Sequence, residues 1–122
     1  QAKDGSEIEI WGDGTQTRSF LYIDECIEGI RRLMESDFTG PVNIGSNEMV
    51  TINQLVDYAC DIAGKKLVKK HIDGPLGVKG RNSDNNLIQE KLNWAPTQQL
   101  KVGLQKTYRW IEEQVEKVEV SA

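Results

Sequence analysis

The sequence has no apolar run longer than a few residues, and a membrane-spanning helix needs about 20. Its first residues, Gln1-Ala2-Lys3-Asp4-Gly5, carry neither the apolar core of a secretory signal nor an initiator Met. The expectation is a piece cut from a longer chain. Cysteine is scarce: Cys26 and Cys60 are too few for a disulfide scaffold, so a reducing, cytoplasmic location is expected. The one histidine, His71, has no second His or paired Cys nearby, which argues against a metal site and against a Ser-His-Asp arrangement. Cations are outnumbered, 15 Lys+Arg against 19 Asp+Glu for a net charge of −4. A general nucleic-acid binder should be basic, although this balance does not exclude a local cluster of cations aimed at one phosphate. What is left is an ordinary composition, 38% hydrophobic and 28% charged over 122 residues, suited to one modest core.

Alternation of apolar and polar residues predicts a half-buried strand over Ser6 to Trp11, with Ile8 and Ile10 facing inward. Gly12-Asp13-Gly14 is a turn signal, and Thr17 to Ile23 reads as a second strand, so the two look like a hairpin. Asp24 is placed to cap a helix reaching about Ser36, with Ile27, Ile30 and Leu33 or Met34 as its buried stripe. Val42-Asn43-Ile44 reads as a short buried strand. Thr51-Ile52-Asn53-Gln54 matches a capping box, opening a helix that stops at Gly64. Leu67 to Ile72 reads as a strand and Asp73 to Asn82 as a glycine-rich loop. A short helix capped by Ser83 or Asp84 reaches about Leu92, where Trp94-Ala95-Pro96 breaks it. A last helix, about Leu100 to Val118, carries Leu104, Tyr108, Ile111, Val115 and Val118 on one face. Strands alternating with helices predict an α/β chain, or mixed α+β as an isolated piece.

The loop Gly74-Pro75-Leu76-Gly77-Val78-Lys79-Gly80 has glycines at dinucleotide-like spacing. The fingerprint needs a tight strand-to-helix turn whose amides face a pyrophosphate. Pro75 removes one amide, no helix follows Gly80 directly, and Trp94-Ala95-Pro96 stands where the acidic residue closing a second strand should be. The loop reads as a surface loop, or as one presenting Lys79 and Arg81 to an anion. Arg18, within a strand beside Gln16 and Thr17, is either solvated or aimed at something. Two arginines at loop edges, Arg18 and Arg81, would together suit a diphosphate, whose oxygens a guanidinium binds in bidentate fashion. Lys65, Lys66, Lys69 and Lys70 read as a solvated strand edge, and both cysteines as packing residues.

Four stretches resemble one family. Trp11-Gly12-Asp13-Gly14-Thr15-Gln16-Thr17-Arg18-Ser19-Phe20 followed by Tyr22-Ile23-Asp24-Glu25-Cys26, then Pro41-Val42-Asn43-Ile44-Gly45-Ser46, are similar to segments of extended short-chain dehydrogenase/reductases acting on nucleotide sugars. So is Leu92-Asn93-Trp94-Ala95-Pro96 with the helix after it. Gly74-Pro75-Leu76-Gly77-Val78-Lys79-Gly80-Arg81-Asn82-Ser83-Asp84-Asn85 resembles the substrate loop of the branch that epimerises a GDP-mannose type of sugar, most specifically over Gly80 to Asn85. The resemblance implies the C-terminal substrate-binding domain of an NAD-dependent nucleotide-sugar epimerase or dehydratase, over residues 1–122, with the Rossmann core missing. In that family a Gly-rich loop binds NAD and a Tyr-x-x-x-Lys pair drives hydride transfer at sugar C4, which acidifies the hydrogens at C3 and C5. Neither motif is present here: Cys26, Ile62 and Glu112 follow Tyr22, Tyr58 and Tyr108 by four positions. The resemblance therefore implies no catalytic residue and no cofactor or metal bound by this piece. It implies substrate binding by Gln16, Thr17, Arg18 and Arg81. The implied partners are the nucleotide sugar, an N-terminal dinucleotide-binding domain and a possible homodimer mate. Another nucleotide-sugar epimerase or dehydratase, or a stand-alone binding or assembly module, are the alternatives.

Overall fold

A computed structural model describes residues 2–121. Strand β1, Glu7–Trp11, buries Ile10, half-buries Ile8 and exposes Glu7, Glu9 and Trp11, as the alternation requires. Its partner is not the next strand. β1 runs parallel to β4, Val68–Ile72, with Ile10 opposite His71 and Trp11 opposite Ile72. The expected hairpin is therefore absent. Gly12 and Gly14 do take positive φ, but the turn is fastened to other elements instead of closing on itself. The Gly12 amide donates to the Ile72 carbonyl at 2.8 Å, and the Asn53 amide donates to the Gly14 carbonyl at 3.0 Å.

β2 is shorter than expected, Thr17–Ser19, and is the middle strand of a second sheet ordered β3-β2-β5. β3, Met49–Thr51, is antiparallel to it, and β5, Gly80–Arg81, is parallel. β5 lies inside the segment expected to be loop throughout. The strand expected at Val42-Asn43-Ile44 does not form; regular pairing begins at Met49. The 42–46 segment is held by packing instead, with Ile44 against Gly29 and Gly45 against Ser83.

Helix α1, Ile23–Glu35, starts after Tyr22, which makes no side-chain cap. Asp24 sits inside the first turn with Glu25 rather than capping it, where both acids favour the positive end of the helix dipole. Glu28 pairs with Arg31 and Arg32, and Arg31 also with Glu35. Hydrogen bonds from Arg31 and then Arg32 hold the Glu28 carboxyl below its ordinary range, and the Glu28 bond raises Arg31. The side covered by the protein centres on buried Gly29, where Ile44 and the Trp94 ring approach. Most of the expected buried stripe faces outward: Ile27 is 57% exposed, Ile30 46% and Met34 80%, in line with exposed Ile23, while the alternative Leu33 is half-buried.

α2, Ile52–Ala63, has both halves of the Thr51–Gln54 capping box and ends at left-handed Gly64, as expected. α3, Asn86–Leu92, has Asn85 at its N-cap position, not Ser83 or Asp84, and buries Ile88 completely. α4, Leu100–Ser121, runs slightly beyond the expected end and packs against α2. Its apolar face is covered only over the first half: Leu100 and Gly103 are buried, Leu104 and Tyr108 half-buried, and Ile111, Val115 and Val118 exposed. Two distant carboxylates hold its start. Glu25 Oε1 accepts from the Thr97 and Gln98 amides at 2.7 and 2.9 Å, and Glu48 Oε2 accepts from the Leu100 amide at 2.7 Å. The buried apolar residues are Ile10, Val50, Ile88 and Leu100. Among the described residues no helix is long and apolar enough to cross a membrane.

The outward stripe of α1 generates a prediction. Fully burying one such aliphatic side chain is worth about 1.5–3 kcal/mol, so the 122-residue chain should self-associate. Sedimentation velocity should show concentration-dependent association, reduced by Ile27→Lys with Met34→Lys. Tm should change little, because neither side chain is buried in the fold. A clean monomer across a wide concentration range for the unchanged chain would contradict this.

Candidate functional site: an arginine cleft

Three short strands place the two arginines. Parallel pairing sets Arg18 opposite Arg81 and Thr17 opposite Gly80. Neighbouring strands lie about 4.8 Å apart and in-register partners leave the sheet on one face. Both arginines line a shallow cleft of about 280 Å³. Ser19 lines it beside Arg18, Asn43 to Gly45 form one wall, and Arg81 to Ser83 form the other. The cleft therefore brings two arginines together with serines and asparagines, a donor-rich lining suited to an oxyanion.

Arg18 is half-buried and already oriented. Its Nη1 donates to the Thr17 carbonyl at 2.7 Å and its Nη2 to the Leu76 carbonyl at 3.1 Å. A guanidinium has five N–H donors, so donors remain for a ligand. Arg81 is exposed. Gln16 and Thr17 do not line the cleft; they secure the strands that carry it. Gln16 Nε2 donates to the Trp11 carbonyl at 3.1 Å, while its Oε1 is buried with no partner among the described residues. The Thr17 amide donates to the Lys79 carbonyl at 2.9 Å, and its hydroxyl lies against Gly80. Ser19, Asn43, Asn82 and Ser83 were not singled out from the sequence. Their signal was position: polar residues inside three family-like segments, Trp11 to Phe20, Pro41 to Ser46 and Gly80 to Asn85.

The glycine-rich loop takes a shape its spacing did not reveal. The Trp11 ring covers Gly74 so closely that a Cβ there would lie 2.5 Å from it, and Leu76 covers Gly12. The loop then enters β5, and the next helix starts only at Asn86. It is not the strand-to-helix turn that cradles a dinucleotide. Lys79 does not line the cleft.

Beside the cleft-bearing sheet, the Asp13 carboxylate accepts from the Thr15 hydroxyl at 2.7 Å and its amide at 2.9 Å, bonds that lower its pKa. Asn53 Nδ2 donates to the Asp13 carbonyl, and His71 Nε2 lies 3.0 Å from Asn53 Oδ1. Lys69 pairs with Asp57 and Lys70 with Glu7, in keeping with a solvated edge. Both thiols are free and half-buried. No cluster of three His, Cys, Asp or Glu suited to a metal occurs among the described residues. A larger cavity of about 350 Å³, lined by Val56, Cys60, Tyr108 and Ile111 among others, shares no residue with the arginine cleft. It is mostly apolar, as the seam between two amphipathic helices should be.

This fold is shared with nucleotide-sugar epimerases. A UDP-glucuronic acid 4-epimerase point mutant from Bacillus cereus, in complex with a fluorinated UDP-glucuronic acid and NAD, matches with TM-score 0.81 and 33% identity, over 88% of this chain and 36% of that one. UDP-glucose 4-epimerase from Thermotoga maritima, with UDP-glucose, matches with TM-score 0.83 and 28% identity, over 89% and 36%. Residues 1–107 match the family described as GDP-mannose 4,6 dehydratase, and the chain belongs to that family. GDP-mannose 3,5-epimerase from Arabidopsis thaliana is 62% identical over 110 residues, 90% of this chain and 29% of that enzyme. The chain thus spans less than a third of the length of that relative.

Two predictions follow from the local geometry. Thr15→Val should raise the Asp13 pKa toward its ordinary value, read by carboxyl NMR titration. Because the folded-state pKa is depressed, the Thr15 bonds stabilise the turn above the ordinary aspartate range, and that stability is lost as pH falls through the folded value. In Gly45→Ala the new Cβ would lie 2.8 Å from Ser83 Cβ, so a cleft wall must shift. A loss of about 1–3 kcal/mol in urea unfolding is expected.

Proposed function

We propose that this chain is the substrate-binding part of an NAD-dependent nucleotide-sugar epimerase, acting on a GDP-mannose type of sugar. The observation that carries the reading is the in-register pairing of Arg18 with Arg81 at one donor-rich cleft. Two arginines at partner positions on neighbouring strands suit the two phosphates of a nucleotide diphosphate, and each charge-assisted bond contributes about 1.5–3 kcal/mol. High identity to GDP-mannose 3,5-epimerase supports the same substrate class. The similar solved structures hold UDP sugars, which supports the diphosphate and keeps a uracil nucleotide as the second reading.

In this reading Arg18 and Arg81 grip the diphosphate and form no bond to the reacting sugar. Their contribution is to fix one end of the substrate so that the sugar end stays aligned, an effect of positioning. Gln16 and Thr17 belong to the same substrate-binding stretch and set the strand from which Arg18 projects. The Gly74 to Gly80 loop does not have the strand-to-helix form of a dinucleotide cradle, since it runs into a strand. We therefore place NAD and the hydride chemistry in an N-terminal dinucleotide-binding part, outside the 122 residues.

The test is kinetic, in the full-length protein. Arg81→Ala and Arg18→Ala should each raise KM for GDP-mannose or lower kcat/KM by about tenfold, consistent with one lost charge-assisted bond. NAD affinity should stay nearly constant. Lys at either position should rescue only partly, because an ammonium lacks the bidentate fork. The 122-residue chain alone should turn over no GDP-mannose. Unchanged KM and kcat in Arg81→Ala would overturn the assignment, and a preference for UDP over GDP sugars would favour the second reading.

A further inference from the structure

Asn85 breaks a local rule. Asn is among the preferred N-cap residues because its side-chain oxygen satisfies a free amide of the first helical turn. Asn85 occupies the N-cap position of α3, with φ −97 and ψ 10, yet its side chain caps nothing. The Asn86 amide is taken by Asp84 Oδ1 at 2.9 Å, and the Asn85 carbonyl accepts from the Gln89 amide at 3.1 Å. The Asn85 carboxamide is thereby free, and both of its ends are used elsewhere. Nδ2 donates to the Gly45 carbonyl at 3.0 Å, and Oδ1 accepts from the Ser83 hydroxyl at 2.7 Å.

Gly45 and Ser83 belong to opposite walls of the arginine cleft. The walls come close there, since a Cβ on Gly45 would lie 2.8 Å from Ser83 Cβ. The Gly45 wall belongs to a segment without regular strand pairing, so no ladder fixes its distance from Arg81. The Asn85 amide spans that gap four residues after Arg81, with one donor bond and one acceptor bond.

Resting on the reading of the cleft as a diphosphate site, we infer that Asn85 is a positioning residue of that site. It fixes the spacing between the Gly45 wall and the Arg81 wall, and so the place of the anion against the Arg81 guanidinium. It touches no ligand itself and acts through Arg81.

The experiment measures binding of GDP and of NAD to the full-length protein by calorimetry, together with Tm. The variants are Asn85→Ala, Asn85→Asp, Arg81→Ala and the Asn85→Ala/Arg81→Ala double. Asn85→Asp is nearly isosteric; it keeps the acceptor for Ser83 but cannot donate to the Gly45 carbonyl. Both Asn85 variants should weaken GDP about five- to tenfold, the scale of a misplaced contact in a positioning role. NAD affinity should hold. The double variant should bind GDP no more weakly than Arg81→Ala alone, because Asn85 acts through that arginine. If Arg81→Ala weakens GDP and neither Asn85 variant does, the inference fails while the diphosphate reading stands. If Arg81→Ala leaves GDP affinity unchanged, the diphosphate reading itself fails. Multiplying effects in the double variant, or a loss of GDP affinity matched by losses in NAD affinity and Tm in both Asn85 variants, would show an independent or merely structural role and overturn the inference.

Discussion

The three residues of β2 carry the architecture of the site. Thr17–Ser19 is hydrogen-bonded on both edges, antiparallel to Met49–Thr51 and parallel to Gly80–Arg81. A strand this short has little stability of its own, so its register is set by what flanks it. On one side the Ile52 amide donates to the Gln16 carbonyl, which joins β2 to the capped start of α2. On the other, the Thr17 amide donates to the Lys79 carbonyl. A one-residue slip in β5 would remove Arg81 from the face it shares with Arg18, because side chains alternate sides along a strand. The cleft is thus a product of register before it is a product of charge.

Around that strand, close backbone approaches do what a larger apolar core does elsewhere. Trp11 lies on Gly74, Leu76 on Gly12, Trp94 on Gly29 and Tyr22 on Gly103. Each pairs a large side chain with a residue lacking a Cβ, so dispersion contacts are gained at short range without displacing a neighbour. Arg18 joins this set through the Leu76 carbonyl, which ties the glycine-rich loop to the arginine that faces the cleft.

Local signals were legible wherever a few adjacent residues decide the outcome. The Thr51–Gln54 capping box and the Gly64 stop of α2 stand as read, as does the alternation in β1. Pairing was not legible, because it depends on residues far apart. Gly12-Asp13-Gly14 looks like a hairpin turn, yet bonds to Ile72 and Asn53 send β1 and β2 into different sheets. Val42 to Ile44 has strand composition, but packing against Gly29 and Ser83 holds that segment outside any ladder. Ile27, Ile30 and Met34 have the spacing of a buried stripe; spacing tells which residues share a face, not which face the chain itself covers. Arg18 and Arg81 were recognisable as anion-seeking residues, and the family resemblance pointed to both. The polar residues between them emerge only once the two walls are in place.

The carboxylates at the start of α4 bear on the order of assembly. Glu25 and Glu48 reach the Thr97, Gln98 and Leu100 amides across sequence separations of 72, 73 and 52 residues. All of these acceptors lie upstream, on α1 and at the edge of β3. During synthesis they leave the ribosome before the amides they receive. The anchor points of α4 therefore exist before it does, and its docking joins the elements that precede it through contacts they cannot make without it.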